Sequence, residues 1–278
     1  MSKVWLITGC STGFGRALAK EILAKGYKAA VCSRNVADVK DLVTDYPDTA
    51  IAVKLDVTNA LQIADAVNIT IYTWGQIDVL VNNAGIGYFA AIEESEDDEV
   101  RHMFEINVFG LANMTREVLP HMRKRRCGHI LNIASIGGLR SFPGVGFYNA
   151  TKFAVDGMSE SLSKELAPLG IKVTIIAPSG FRTDWAGRSA KDSPIRIDDY
   201  EETAWKNRGT IRGYSGNQPG DPIKAAQAMI AVTEVNNPPL RLLLGVAALK
   251  GARIKLEELK HDFDTWAATS EGADYPVE

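Results

Sequence analysis

The sequence is short of most features that would mark a secreted, membrane-spanning or metal-binding protein. Only three of its 278 residues are cysteine, and Cys10, Cys32 and Cys127 are odd in number and scattered, which excludes a disulfide framework and a thiolate zinc site. The four histidines, His102, His121, His129 and His261, lack the spacing of a metal-binding pair, so no metal is expected. No apolar run approaches the roughly 18 residues of a membrane span. The opening Met-Ser-Lys-Val-Trp-Leu-Ile-Thr reaches a glycine too early to hold the apolar core of a signal peptide. A cytoplasmic, reducing setting is expected. Charge of neither sign dominates: 31 Lys and Arg stand against 34 Asp and Glu, so no net positive field exists to hold nucleic acid or an anionic membrane. The basic residues Arg123, Lys124, Arg125 and Arg126 read as a solvated helix end.

What is present is a rhythm. Short β-branched apolar runs at 4–8, 29–32, 51–55, 79–82, 129–134, 173–177 and 241–244 alternate with helical periods at 13–25, about 36–45, 59–74, 95–126, 146–168 and 220–235. Such alternation predicts an α/β fold, a Rossmann-type doubly wound parallel seven-stranded sheet in one domain over 1–245, with strand order 3-2-1-4-5-6-7. Ser95 with Asp98 suggests a capping box at the start of the long helix. Residues 181–221 lose the period and gather Trp185, Tyr200, Trp205 and Tyr214, which predicts a substrate lid at about 184–222. Residues 246–278 read as a helical extension and tail carrying Leu249, Ile254, Leu256, Leu259 and Phe263.

Thr8-Gly9-Cys10-Ser11-Thr12-Gly13-Phe14-Gly15 joins the first strand to the first helix, where glycines let backbone approach a pyrophosphate at the positive helix end. Gly9, Ser11, Thr12, Gly13, Phe14 and Gly15 are the candidate contacts. The lysine of a nucleotide-hydrolysing P-loop is missing. Cys10 reads as a small side chain packed under the nucleotide, with a reactive thiol as the alternative. Past the second strand no acidic residue occurs between Glu21 and Asp38, and Ser33 and Arg34 stand where a carboxylate would greet a free ribose 2′-hydroxyl. A guanidinium and a hydroxyl suit a 2′-phosphate, which favours NADP(H) and leaves NAD(H) possible.

Tyr148 and Lys152 are four apart on a predicted helix and so share a face, and Ser135 lies just past the preceding strand. An ammonium about 4 Å from a phenol would favour the phenolate by about 4 kcal/mol at an effective dielectric near 20, before burial opposes it. Tyr148 would then act as general acid or base, with Ser135 holding the substrate oxygen.

With these motifs in order, Thr8-Gly-x3-Gly-x-Gly15, Asp56 in Leu55-Asp56-Val57, Asn82-Asn83-Ala84-Gly85, Asn107, Ser135, Tyr148-x3-Lys152 and Pro178-x-Gly180, the chain resembles the short-chain dehydrogenase/reductase family over about residues 3–245. The resemblance implies that Asp56 and Val57 meet the adenine, and that Asn83, Ala84 and Gly85 support the central strand beside the ribose. It implies that Asn107 anchors a water relay, that Lys152 also holds the nicotinamide ribose, and that Pro178, Gly180 and Thr183 lie near the nicotinamide. One departure is Ser179, which separates the Pro-Gly pair usual after strand six. The implied activity is NADP(H)-dependent interconversion of a ketone or aldehyde and an alcohol, of the carbonyl-reductase type. The glycine turn resembles those of hydroxysteroid and retinol dehydrogenases, which implies an apolar substrate shaped by Tyr88, Phe142 and Phe147. An NAD-linked alcohol or steroid dehydrogenase is the alternative, followed by a non-catalytic NADP-sensing regulator that the intact Ser135, Tyr148 and Lys152 weigh against. The family also implies a homodimer or homotetramer paired through helices 95–126 and 146–168, with Met103, Phe104, Ile106, Leu111, Met114 and Phe153 as the apolar contact.

Overall fold

Seven strands of the chain are apolar on both sides, and each side meets a layer of helices. In the computed structural model, which describes residues 2–187 and 189–275, the elements run β1 (Val4–Ile7), α1 (Gly13–Ala24), β2 (Lys28–Ser33), α2 (Lys40–Asp45), β3 (Ala50–Lys54), α3 (Ala60–Trp74) and β4 (Val79–Asn82). They continue with β5 (Gly87–Phe89), α4 (Asp97–Phe104), α5 (Leu111–Arg125), β6 (Gly128–Ile133), α6 (Gly146–Leu166), β7 (Ile171–Pro178), β8 (Ala190–Asp192) and α7 (Lys206–Gly213). The last are α8 (Pro222–Glu234), β9 (Arg241–Leu244), α9 (Val246–Thr265) and α10 (Ala267–Glu271). The main sheet is parallel throughout, in the order β3-β2-β1-β4-β6-β7-β9, which is the expected doubly wound arrangement.

Period-two alternation sorts the core. Trp5, Ile7, Val31, Val79 and Val81 bury one face of the sheet with Leu18 and Ile22 of α1 and Ala226, Met229 and Ile230 of α8. Leu6, Ala30, Leu80 and Ile130 bury the other with Ile63 and Val67 of α3 and Met114, Val118 and Met122 of α5. Strand order reverses at β1, which has β2 on one side and β4 on the other. A crevice therefore opens beyond the carboxyl ends of β1 and β4, where ligands of such sheets bind.

Three expectations need correction. The helix expected over 95–126 is broken by a π turn, Glu105–Gly110, between α4 and α5. No capping box forms: Glu96 sits at the cap without a side-chain bond, while the Ser95 hydroxyl turns back to the Ala91 carbonyl at 2.9 Å. Of the six residues expected to give apolar contact to a second subunit, Met103, Ile106, Leu111 and Met114 are consumed by the chain's own core, leaving Phe153 as the exposed large one. Sequence period shows that a helix face is apolar, not whether its own sheet or a partner covers it.

Residues 181–221 carry more structure than their composition suggests. β8 pairs with β5 in a small second sheet, and the π turn Glu201–Trp205 leads into α7. Two long-range polar groups fix this segment. The buried Glu94 carboxylate accepts the amides of Ala91 at 3.0 Å and Ile197 at 2.7 Å and the Trp205 indole at 2.9 Å. Burial opposes its charge, yet these donors hold its carboxyl below the usual range. Asp192 binds both Arg208 and Arg212.

His129 on β6 gives the fold a measurable acid response. It is buried, its Nε2 meets the Thr174 hydroxyl at 2.9 Å, and burial, helped by Lys172 and Lys3, lowers its pKa to about 4. Above the ordinary histidine value near 6.5 the ring is neutral in both folded and unfolded chains and has no effect. As pH falls below that value the unfolded chain takes the proton first, and stability is lost down to about pH 4, by about 3 kcal/mol in total. Denaturant titrations of the wild type and His129→Gln should diverge over that window, the variant losing less stability; parallel curves would assign the acid loss to other groups.

Candidate active site

The glycine turn between β1 and α1 is forced open by its backbone. Gly9 and Gly13 have φ of +71° and +60°, and a Cβ on Gly15 would strike the Gly9 carbonyl. Thr12 stands at the cap of α1 with no side-chain bond to the helix, leaving the first-turn amides directed outward. The end of β4 bolts the turn in place: Asn83 Nδ2 donates to the carbonyls of Thr8 at 2.8 Å and Gly9 at 2.9 Å, and the Thr8 hydroxyl accepts the amides of Asn83 and Ala84, both at 2.9 Å. Thr8 was legible only as part of the motif; its role as a bridge comes from the structure. The Phe14 ring packs edge-on to Phe181 at 5.1 Å, so that residue offers the turn its backbone. Cys10 is fully buried and burial pushes its thiol up to about 12, in keeping with a packing role. Ser11 is half-buried on the turn, and Thr183 beyond β7 closes on it, 3.5 Å from where a Gly13 Cβ would stand.

At the far end of the crevice Ser33 is buried and Arg34 exposed. Asp56 lies within the electrostatic reach of Arg34; burial raises its pKa, but the Thr58 amide at 3.0 Å and hydroxyl at 2.7 Å, with Arg34, win and hold it below the usual range. Val57 packs on the π turn, where a Cβ on Gly110 would lie 2.7 Å from its Cγ2.

That π turn re-aims Asn107 inward. Its Oδ1 accepts the Ile86 amide and its Nδ2 donates to the Ile86 carbonyl, both at 2.9 Å, and Nδ2 also reaches the Thr151 hydroxyl at 3.2 Å. Both amide hydrogens are thus spent on protein acceptors. Thr151 was not anticipated, although it sits inside Tyr-x3-Lys. Gly85 passes so close that a Cβ would be 3.2 Å from Asn107 Oδ1 and 3.8 Å from Lys152 Nζ.

Ser135, Tyr148 and Lys152 converge where β6 ends and α6 begins. The Ser135 oxygen accepts the Gly137 amide at 3.0 Å and its hydroxyl interacts with Tyr148. Gly137 makes this meeting possible, since a Cβ there would lie 3.3 Å from Ser135 Oγ and 3.7 Å from the Tyr148 ring. Lys152 Nζ donates to the Ile133 carbonyl at 2.9 Å and stands 5.6 Å from the centre of the Tyr148 ring. Tyr148 is only 9% exposed; burial pushes its phenol up, and the Ser135 bond pulls it partly back. Burial also lowers Lys152 to about 8. Burial thus raises the Tyr148 phenol, in place of the lowering that Lys152 was expected to produce. Trp185 packs on Tyr148, ring centres 4.8 Å apart, and Phe89 packs on Trp185 at 5.7 Å. Tyr88, Phe142 and Phe147 all pack in the same cluster, and the Tyr88 hydroxyl accepts the Glu96 amide at 3.1 Å. Ser179 bonds back to the Leu244 carbonyl at 3.0 Å through its amide, so the residue between Pro178 and Gly180 serves β9.

Residues 3–194 match the family described as short chain dehydrogenase. The chain belongs to that family. An oxidoreductase of Botryotinia fuckeliana, BOA17, is 35% identical over 271 residues, covering 97% of this chain and 98% of that one. A short-chain dehydrogenase structure from Streptomyces avermitilis has a TM-score of 0.93 at 41% identity, with 98% of both chains covered. Two others carry cofactors: a Burkholderia phymatum member in complex with NAD (TM-score 0.82, 25% identity, 94% and 95% covered) and ElxO with NADP bound (TM-score 0.75, 29% identity, 90% and 100% covered). As a short-chain dehydrogenase, the protein is an oxidoreductase acting on CH–OH and carbonyl groups.

The dehydrogenase holds Trp185 over Tyr148 through Arg212, whose guanidinium donates to the carbonyls of Ala186 and Ala190 at 2.7 Å and binds Asp192 at 3.0 Å. Hydrogen bonds to a charged group contribute about 1.5–3 kcal/mol, so Arg212→Ala should speed amide exchange across 186–192 by about tenfold or more. Unchanged exchange there would show that the loop is held by its apolar contacts alone.

Proposed function

We propose that the protein is an NADP(H)-dependent carbonyl reductase that interconverts a ketone or aldehyde of fairly apolar character and its alcohol. The observation that carries this reading is the buried Tyr148 with the Ser135 hydroxyl at its side and Lys152 Nζ 5.6 Å from its ring centre. The chain's residues fit the cofactor: a turn in which Gly9 and Gly13 take positive φ and Gly15 leaves no room for a Cβ, outward amides at α1, and an exposed Arg34 at the end of β2 without an ion pair among the described residues. Gly9, Ser11, Thr12, Gly13, Phe14 and Gly15 would hold the pyrophosphate, Ser33 and Arg34 the 2′-phosphate, and Asp56 and Val57 the adenine. Asn83, Ala84 and Gly85 would line the ribose, with Pro178, Gly180 and Thr183 near the nicotinamide. When bound, the reduced nicotinamide supplies a hydride.

Ser135 orients the carbonyl oxygen, and Tyr148 gives that oxygen its proton as the acceptor carbon is reduced. A phenol whose pKa burial raises suits this direction. Lys152 stabilises the phenolate left behind and binds ribose, and the proton returns along a water path ending at Asn107, whose Oδ1 keeps one lone pair beyond that given to Ile86. Trp185, Phe89, Phe142 and Phe147 surround the acceptor with apolar surface, and residues 184–222 act as the lid that admits it. We place the protein in the cytoplasm as a homodimer or homotetramer; Cys10, Cys32 and Cys127 are free, and no described helix is long and apolar enough to cross a membrane.

Tyr148→Phe should cut turnover by about a hundredfold or more while leaving NADPH affinity nearly unchanged, as read by fluorescence titration. Near-normal turnover would remove the acid role. Arg34→Asp should turn the kcat/KM preference from NADPH toward NADH, by replacing an attractive charge beside the 2′-phosphate with a repulsive one. An unchanged ratio would place recognition elsewhere, with Ser11, Thr12 and Asn35 next to be tested.

A further inference from the structure

Beyond the last strand the chain leaves its own core. Helix α9 buries only Ala248, Gly251 and Ala252 against the body, with Gly251 passing close to Ile136. The remainder projects, and it is not polar: Leu256 is 65% exposed, Phe263 67% and Trp266 64%, with Val246 and Leu249 also exposed. Leu249, Leu256 and Phe263 recur every seven residues, with Leu259 and Trp266 beside them, and draw one stripe along the helix past Ala252, which faces the body. A stripe of this size open to water marks a surface that is covered in solution.

Charge identifies what covers it. The half of α9 nearest the body carries Lys250, Arg253 and Lys255 and no acid; the far half carries Glu257, Glu258, Asp262 and Asp264. On one flank of the stripe Lys250 and Arg253 precede Glu257 and Asp264, and on the other Lys255 precedes Asp262. A second α9 laid antiparallel sets each basic half beside the other's acidic half on both flanks. It also brings Phe263 of one copy to Leu249 of the other, with Leu256 of each near the axis. This is the self-complementarity a two-fold interface requires, in which each residue meets its counterpart twice. Within one copy Lys260 pairs with Asp264, and Glu258 meets Lys255 at 3.8 Å and Arg140 at 3.5 Å, which leaves Lys250 and Arg253 of the near half and Glu257 and Asp262 of the far half without an ion pair among the described residues. A parallel pairing would set like halves together.

We propose that α9 is an association arm, and that its occupant is the α9 of a second copy of this chain, running antiparallel. This contact is separate from α5 and α6 and does not depend on the proposed reaction.

Sedimentation of the full-length protein at micromolar concentration tests it. Leu256→Glu with Phe263→Glu should halve the assembly mass while far-ultraviolet circular dichroism and turnover stay as in the wild type, because neither side chain is buried in the body. A monomeric wild type, including one whose arm instead binds lipid vesicles, or a variant of unchanged mass overturns the proposal. The charge argument has its own test. An all-acidic arm (Lys250→Glu, Arg253→Glu, Lys255→Glu) and an all-basic arm (Glu257→Lys, Asp262→Lys, Asp264→Lys) should each fail to associate through α9 alone and should pair when mixed. Arms that self-associate, or a mixture that stays apart, overturn the antiparallel pairing.

Discussion

A lysine ammonium held out of water is the constraint on which the site depends. Lys152 is almost wholly buried, and burial alone brings its pKa to about 8. Such a group persists only where the surrounding chain supplies acceptors, and the Ile133 carbonyl at the end of β6 is one of them. To reach it, α6 must lie close on the loop that follows β6, and Gly138 permits this: a Cβ there would lie 2.7 Å from the Lys152 carbonyl. The same approach brings Ser135 to Tyr148. One requirement, satisfying a buried cation, thus fixes the relative position of the three side chains proposed to carry the reaction.

A second set of polar bonds sets the height of the neighbouring loop. Asn107 can hold both polar groups of Ile86 because the π turn adds a residue to the helix and swings the amide inward. Thr151 joins this bond to α6, since its hydroxyl meets Asn107 and donates to the Tyr148 carbonyl at 2.8 Å. Thr8 does the equivalent for the glycine turn by tying β1 to the end of β4. Both devices spend buried side chains on backbone groups that parallel strands leave unpaired at their ends. The crevice floor is thus held by bonds from Thr8, Asn83 and Asn107 to backbone, while Thr12 caps the first turn of α1 without a side-chain bond.

Sheet order and the glycine turn were legible in the sequence because both follow from local pattern: strands buried on two faces read as apolar runs, and a strand-to-helix turn needs glycine at fixed places. Ser135, Tyr148 and Lys152 were legible for the same reason, two of them sharing a helical face. What was not legible rests on contacts between distant residues. Glu94 and Trp205 are far apart in the chain, and Asp192 meets Arg212 across a loop whose composition suggests no structure. The π turn at Asn107 leaves no mark in the apolar period, which runs through 95–126 without a break. Whether Met103 and Met114 face the sheet or a partner depends on tertiary packing, and the expectation of a partner was wrong for both.

The reaction class is tested most directly by following the hydride. The enzyme would be supplied with NADPH carrying deuterium at nicotinamide C4, on either face, together with apolar ketones and aldehydes, and the products examined by mass spectrometry and NMR. The account predicts deuterium on the carbinol carbon of the alcohol, transferred from one face of the nicotinamide. NADPH that binds tightly while every ketone and aldehyde is returned unreduced would contradict it, and would leave the protein as a binder of the nucleotide.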